Sequence, residues 1–269
     1  MRRRRTGEAL LGSTKCQVSG ARREPGGLGS PPHALTGRGG EMALQMLHVN
    51  EIAEAIRLLC LGAVRLTEDL IESDTACVGS NRLFETGAGV EVLDDETEPV
   101  PGIVVERLGD TQVRLDQTVE GPLSVSRRAR LRLAAAPVPE LVMVSQGPLE
   151  LLVEPRRAKL PAAVVCPQRV EQPPADGTNR AFGQEYWFSV YYARPRNAGE
   201  HPNRELFGEV ERLFSALMAD TTLGGTAWYS QVTAVRTADE QQRRLRESGA
   251  GIDVVEVEVL ARRLEPWRK

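Results

Sequence analysis

The chain has 269 residues, 41% of them hydrophobic and 26% charged, which suits a soluble globular protein of one or two domains. No apolar run approaches the ~20 residues a membrane helix requires, which excludes a helical membrane span. The net charge of -3 hides an asymmetry, since residues 1–41 hold eight Lys/Arg against three Glu and so leave -8 on the remainder; an acidic body argues against nonspecific duplex-DNA binding while leaving room for a local basic patch.

Residues 1–41 begin MRRRR and run through GGLGSPP and TGRGG with almost no periodic apolar positions, so disorder is expected there. Their Arg-rich, acid-poor character also fits a transit peptide, although Pro and Gly weaken an amphipathic helix. Sequence upstream of the true start fits better, with Met42 opening the folded protein. Residues 42–60 read as an amphipathic helix: in NEIAEAIRLLC, Ile52, Ala53, Ile56, Leu59 and Cys60 share helical spacing, Asn50 is placed to cap the N-terminus, and Glu51 favours the positive end of the dipole.

Residues 61–136 change to period two, with Gly, Asp and Pro between short apolar runs such as GAGVEVLDD, GIVVERLGD and TQVRLDQ. Five or six closely spaced strands predict a compact antiparallel sheet or small barrel, in which closure removes exposed edges. Residues 137–158 carry Pro137, Pro139, Pro148 and Pro155 around LVMV and read as a connector with room for one strand. Beyond it come the apolar strand LPAAVVCPQRV and the strand YWFSVYYA, apolar on both faces as a central or interface strand is. Leu206, Phe207, Val210, Leu213, Phe214, Leu217 and Met218 then predict one helical stripe.

ADTTLGGTAWYSQVTAV, residues 219–235, stops that helix at Gly224 and Gly225 and starts a strand, without any obvious catalytic group. In the last strand Val255, Val257 and Val259 alternate with Glu256 and Glu258. Of twelve aromatics only Phe84 precedes residue 182, so large aromatic burial belongs to residues 159–269.

Few of these residues suggest chemistry. Cys16, Cys60, Cys77 and Cys166 form no Cys-x-x-Cys pair and read as free thiols, the last three as buried small hydrophobes. His33, His48 and His201 lack zinc-site spacing, and neither a GxSxG elbow nor a phosphate loop is present; GAGVEV at 87–92 fails the third glycine. DDETE at 94–98 lacks the alternation of a calcium loop and reads as a solvated hairpin tip. No catalytic residue, cofactor or metal is assigned. Arg128, Arg130 and Arg132 share one strand face, suited to solvent, to carboxylates of another subunit, or to phosphates. Trp187 and Tyr191 share the β face opposite Phe188, Val190 and Tyr192, which is either covered within the chain or offered to a partner.

Taken in order, LPAAVVCPQRVEQ, EYWFSVYYARP, RELFGEVERLFSALMAD, TLGGTAWYSQVTAV and IDVVEVEVLA resemble the tail terminator (tail completion) proteins of tailed bacteriophages, lambda-type terminators in particular, over residues 159–262. Members are small α+β proteins that form hexameric rings on the tail tube, stop its polymerisation and meet the head connector. With the small antiparallel β-barrel-like domain read from the period-two runs of residues 61–136, the resemblance implies an α+β fold whose C-terminal part is an α+β sandwich of a mainly antiparallel sheet packed on helices. It implies a non-enzymatic virion protein of the tail or neck, assembled in the host cytoplasm, whose partners are its own copies, the tail tube protein, the head connector or stopper, and DNA passing through the lumen without sequence-specific binding, with no membrane. Its functional residues would be interface residues: Trp187, Tyr191, Arg128, Arg130, Arg132, Arg243, Arg244, Glu256 and Glu258.

Two features depart from that pattern. The 50–60 helix is separated from LPAAVV by the β-rich segment, and a long polar loop, TADEQQRRLRESGAG, precedes the last strand. The rival readings are a nucleic-acid-binding adaptor using the Arg128, Arg130 and Arg132 face, and an enzyme with a dispersed site.

Overall fold

The computed structural model describes residues 38–139, 141–147, 160–171, 181–196, 202–238 and 251–266. Eleven strands and two α-helices make the described chain mostly β, and no helix among the described residues is long and apolar enough to cross a membrane. The first helix, α1 (Arg38–Cys60), starts before Met42 and passes through Asn50, so Asn50 is not a cap. Ala43, Leu44, Gln45, Met46 and Leu47 are strong helix formers, and an interior Asn costs less than about 0.7 kcal/mol, too little to stop a helix they propagate. Ile52, Ala53, Ile56, Leu59 and Cys60 form its buried face as their spacing predicts. The expected disorder before residue 38 lies outside the described residues.

Six strands follow: β1 (Ala63–Arg65), β2 (Ser73–Cys77), β3 (Gly89–Leu93), β4 (Val100–Leu108), β5 (Gln112–Val119) and β6 (Arg130–Leu133). They form one antiparallel sheet in the order β1-β6-β3-β4-β5-β2. The sheet curls into a half-barrel. Its outermost strands meet just past their ends, where Leu66 bridges Val78 and the Thr67 N–H donates to the Cys77 carbonyl at 2.9 Å. Val64, Val78, Val90, Val92, Val113 and Leu131 are each no more than 2% exposed, and fully buried Phe84 is the one aromatic among them. Small branched side chains suffice because the curled sheet brings its own strands into contact.

The second sheet contains β7 (Met143–Gln146), β8 (Ala162–Glu171), β9 (Ala181–Pro195), β10 (Tyr229–Thr237) and β11 (Ile252–Pro266), in the order β10-β11-β9-β8-β7. Only the β7–β8 pair is parallel. Strand alternation puts Tyr186, Phe188, Val190 and Tyr192 of β9 on the same side as Val255, Val257 and Val259 of β11. Leu206, Val210, Leu213 and Leu217 of the second helix, α2 (Pro202–Ala219), pack on them together with Ile52 and Ile56 of α1.

A buried ion pair strengthens the contact between α2 and β9. Arg194 is only 2% exposed, and its guanidinium reaches Glu209 at 3.2 Å, while the Tyr192 hydroxyl donates to the same carboxylate at 2.5 Å. Separating a buried charge from its partner costs about 3–5 kcal/mol, so α2 cannot leave β9 cheaply. The hydrophobic cluster under the second sheet runs without a break into the half-barrel through Val64, Phe84, Val90 and Leu131. The two units read from the sequence therefore share one core.

Candidate functional site

The glycine segment after α2 shows how the shared core is held. Asp220 is fully buried. Its Oδ1 accepts from the Thr222 N–H at 2.9 Å and hydroxyl at 2.6 Å, and its Oδ2 accepts from the Gly224 N–H at 3.0 Å. Leu223, Gly224 and Gly225 then take left-handed φ values of 51°, 65° and 82° in succession, which turns Leu223 inward to 1% exposure. Gly224 and Gly225 press on Gly79 of the half-barrel: a Cβ added at Gly79 would stand 1.9 Å from the Gly224 carbonyl oxygen. The Arg82 guanidinium also donates to the Thr221 hydroxyl at 3.2 Å. The 219–235 segment is thus a weld between the two sheets. Beside it lies a cleft of about 270 Å³, across which Arg263 of β11 pairs with Glu51 of α1 at 2.8 Å.

The arginines singled out on the half-barrel are not all on one strand. β6 begins at Arg130; Arg128 instead caps a 3-10 turn, Val125–Arg127, in a left-handed conformation. The Ser124 side chain, which accepts from the Ser126 N–H, and Asp69, which accepts from the Val125 N–H at 2.7 Å, hold that turn and keep the strand from starting earlier. Arg132 faces Glu91 on β3 and is hydrogen-bonded to it. Arg130 pairs with Asp95 at 2.9 Å, and Arg128 reaches the same carboxylate at 4.0 Å.

The acidic turn at 94–98 is exposed from Asp95 to Glu98, as a solvated hairpin tip should be, but Asp94 is buried and Asp95 faces the arginines. Asp94 is buried, accepts from the Glu96 and Thr97 N–H groups and the Thr97 hydroxyl at 2.8–2.9 Å, and pairs with Arg127 at 3.1 Å. Desolvation opposes its charge, yet these hydrogen bonds and Arg127 hold its carboxyl below the ordinary value.

Arg128 and Arg130 meet Arg57 of α1 and Arg65 of β1 around a cavity of about 200 Å³, which also receives Glu54 and Asp95. Glu54 accepts from Arg57 at 2.6 and 2.7 Å and from Gln146 at 2.8 Å, and lies 3.4 Å from Arg65. Burial works against ionisation of Glu54, but the Arg57 hydrogen bond and the charges of Arg57 and Arg65 keep its carboxyl below the ordinary value. This cluster was not legible in the sequence, because its members come from α1, β1, the β3–β4 turn, the 3-10 turn before β6 and β6 itself.

On β9, Tyr191 is 6% exposed and belongs to a second small cluster with Ala162, Val164, Ala193, Ile252 and Val254. It is therefore sealed within the protomer and offers no exposed face. Trp187 is half-buried under the Arg169 guanidinium, 4.5 Å from the ring centroid. Glu256 accepts from the Ser189 hydroxyl, and Glu258 accepts from Arg236 at 3.0 Å and the Thr233 hydroxyl at 2.6 Å. Both glutamates are committed within the sheet. Arg243, Arg244 and most of their loop lie outside the described residues, as does Cys16.

The exposed aromatic surface lies elsewhere. Phe207 and Phe214 of α2 are 57% and 38% exposed, and Trp228 and Val235 at β10 are 64% and 44% exposed. At about 100° per residue, Leu206, Val210, Leu213 and Leu217 cluster on one line, while Phe207, Phe214 and Met218 form a second stripe about a quarter-turn away. The angular offset was the available signal: what reads as one wide stripe is a buried line and an aromatic flank. β10 is also an edge strand, with β11 as its sole neighbour among the described residues. Cys60 and Cys166 are buried and Cys77 is intermediate; burial pushes the Cys60 thiol up to about 12, leaving it protonated and a poor nucleophile.

No family profile matches the sequence, and no characterised protein matches it.

Proposed function

We propose that the chain is a structural protein of a tailed phage or phage-like particle: a tail terminator or neck protein that assembles as a homo-oligomeric ring, a hexamer in the terminator pattern, caps the tail tube and joins it to the head connector. The observation that carries this reading is the strand-strand-helix-strand-strand order of β8, β9, α2, β10 and β11. It matches the element order of the resemblance, and we read the unit as an α+β sandwich. β10, an edge strand among the described residues, with exposed Trp228 and Val235, and the exposed Phe207 and Phe214 of α2, a helix that contacts β10, add the kind of surface a ring subunit needs. An exposed edge with apolar neighbours is a hazard for a monomer and an asset for a subunit, because a second chain satisfies its N–H and C=O groups. A heterologous contact repeated by rotation closes into a ring and turns one modest interface into a stable assembly.

In this reading Phe207, Phe214 and the β10 edge supply the intersubunit contact, in place of Tyr191. DNA passes through the lumen without sequence-specific contacts, and the protein resides in the virion. Light scattering coupled to size exclusion, with negative-stain microscopy of the purified full chain, tests it. We expect a closed ring for the native chain and folded, unassembled protomers for Phe207→Glu and Val235→Lys, since surface changes of this kind alter fold stability by only about 0.5 kcal/mol. A native chain that stays monomeric at high concentration, also when tail tube protein is added, defeats the proposal.

A further inference from the structure

Beyond the ring, the charge balance at the α1–β1–β6 junction calls for an explanation. Four guanidiniums, from Arg57, Arg65, Arg128 and Arg130, surround the cavity of about 200 Å³, and among the described residues the carboxylates lining it are those of Glu54 and Asp95, two fewer than the guanidiniums. The carboxylates are also unevenly shared. Glu54 is engaged at both oxygens by Arg57 and again by Gln146, leaving Arg65 at 3.4 Å. Asp95 is taken by Arg130 at 2.9 Å, leaving Arg128 at 4.0 Å. Arg65 and Arg128 are therefore only weakly compensated.

Placement sharpens the point. Arg65 and Arg130 are directly opposite each other in the β1–β6 ladder, a like-charge pairing that is destabilising without a counter-charge. The side chains of Arg57 and Arg130 are 25% and 23% exposed and form the inner part of the cavity, while those of Arg65 and Arg128 are 48% and 69% exposed and stand toward its mouth. Arg128 lines it from a left-handed backbone position with φ 60°, a conformation that non-glycine residues rarely adopt.

We propose that this cavity is a binding site for a phosphate-class oxyanion. Guanidinium forks match phosphate oxygens in pairs, and charge-assisted hydrogen bonds of this kind are about twice as strong as neutral ones. A phosphate placed among the four arginines removes the excess charge and occupies the weakly compensated donors of Arg65 and Arg128. The walls contribute almost no apolar surface, Leu58 excepted, so the site reads the anion and not a base or an acyl chain. The group comes either from a free phosphate or phosphomonoester, or from a phosphodiester of a nucleic-acid strand at the cavity mouth. The inference does not rest on the ring reading: a monomeric chain can hold phosphate, and a ring can lack the site.

Calorimetric titration of the full chain with inorganic phosphate, at ionic strength held constant with sodium chloride, tests the free-anion source. Phosphate also stabilises proteins by exclusion from their surface, so the reference is a variant. We expect saturable binding by the native chain, a weakening of roughly tenfold or more in Arg65→Gln, as the loss of a charged hydrogen bond gives, and unchanged binding in Arg132→Gln, whose arginine pairs with Glu91 outside the cavity. Arg65 is half-exposed, so its replacement leaves the fold intact; circular dichroism verifies this. In a second arm, fluorescence anisotropy with a labelled single-stranded DNA lacking terminal phosphates identifies the source as the diester if it binds the native chain and not Arg65→Gln. Should neither probe distinguish the native chain from Arg65→Gln, the site does not exist.

Discussion

Gly79 and Gly225 approach each other more closely than any residue with a side chain allows. A Cβ at Gly79 would lie 1.9 Å from the Gly224 carbonyl oxygen, and one at Gly225 would lie 2.5 Å from the Gly79 oxygen; backbone meets backbone on both sides, so no rotamer change relieves the clash. Gly79→Ala must push the weld apart or shift the half-barrel, an overpacking cost of about 1–3 kcal/mol. Gly87 is the control, because a Cβ there meets nothing within 4 Å and only its φ of 87° disfavours alanine, by about 1 kcal/mol. Urea denaturation of the two variants should give the lower midpoint for Gly79→Ala. Equal midpoints would mean that the weld yields freely and does not hold the sheets together. Leu223 shows the same balance in the opposite direction: it accepts a left-handed φ of 51° because the turn buries its side chain to 1% exposure.

Among the elements, the β3–β4 turn has the sharpest dependence on conditions. The folded state holds the Asp94 carboxyl below its ordinary value of 3.8, so the contribution of its charge is fully present above that value and disappears as the pH falls through the lower, folded-state value. Asp94→Asn keeps an oxygen acceptor for the Glu96 and Thr97 N–H groups but cannot pair with Arg127. We expect it to lower stability by about 1 kcal/mol at neutral pH, with the gap to the native chain closing on acidification below pH 3.8; a gap independent of pH would mean that the charge contributes nothing. The elements themselves were largely legible, since period-two runs and turn residues marked the strands of both sheets and a 3.6 period marked α2. What the periods could not locate were the boundaries and partners. Arg128 reads as a strand residue because alternation continues through RRARLRLA, whereas the Ser124 cap and Asp69, 59 positions before Arg128 in the chain, build a turn there. Tyr191 reads as an outward aromatic because nothing local reveals that Ile252 and Val254 of β11 and Val164 of β8 pack beside it. Asn50 reads as a cap because capping preference is local, while the helix it interrupts is propagated from the preceding turns.

Across the whole molecule, a single hydrophobic cluster joins α1, the half-barrel, α2 and the second sheet, and this determines how the protein comes apart. Two domains joined by a linker would each keep their own core and melt separately. Here Leu223 and Val64 belong to the same cluster as Phe84 on one side and Phe188 on the other, and Arg263 of β11 pairs with Glu51 of α1, so opening either sheet exposes apolar surface of the other. The aromatic distribution makes the consequence measurable. The half-barrel holds no tryptophan, while Trp187 lies on β9 and Trp228 borders β10, so their fluorescence follows the second sheet, whereas far-ultraviolet circular dichroism follows the strands of both sheets together. Chemical unfolding of the native chain should give superimposable transitions by the two probes, as a cooperative two-state unit does. In Gly79→Ala the midpoint should fall by both probes equally if the weld transmits stability across the junction. A fluorescence transition displaced from the circular-dichroism transition in the native chain would show that the half-barrel folds independently, and that the shared core is too weakly packed to couple the two sheets.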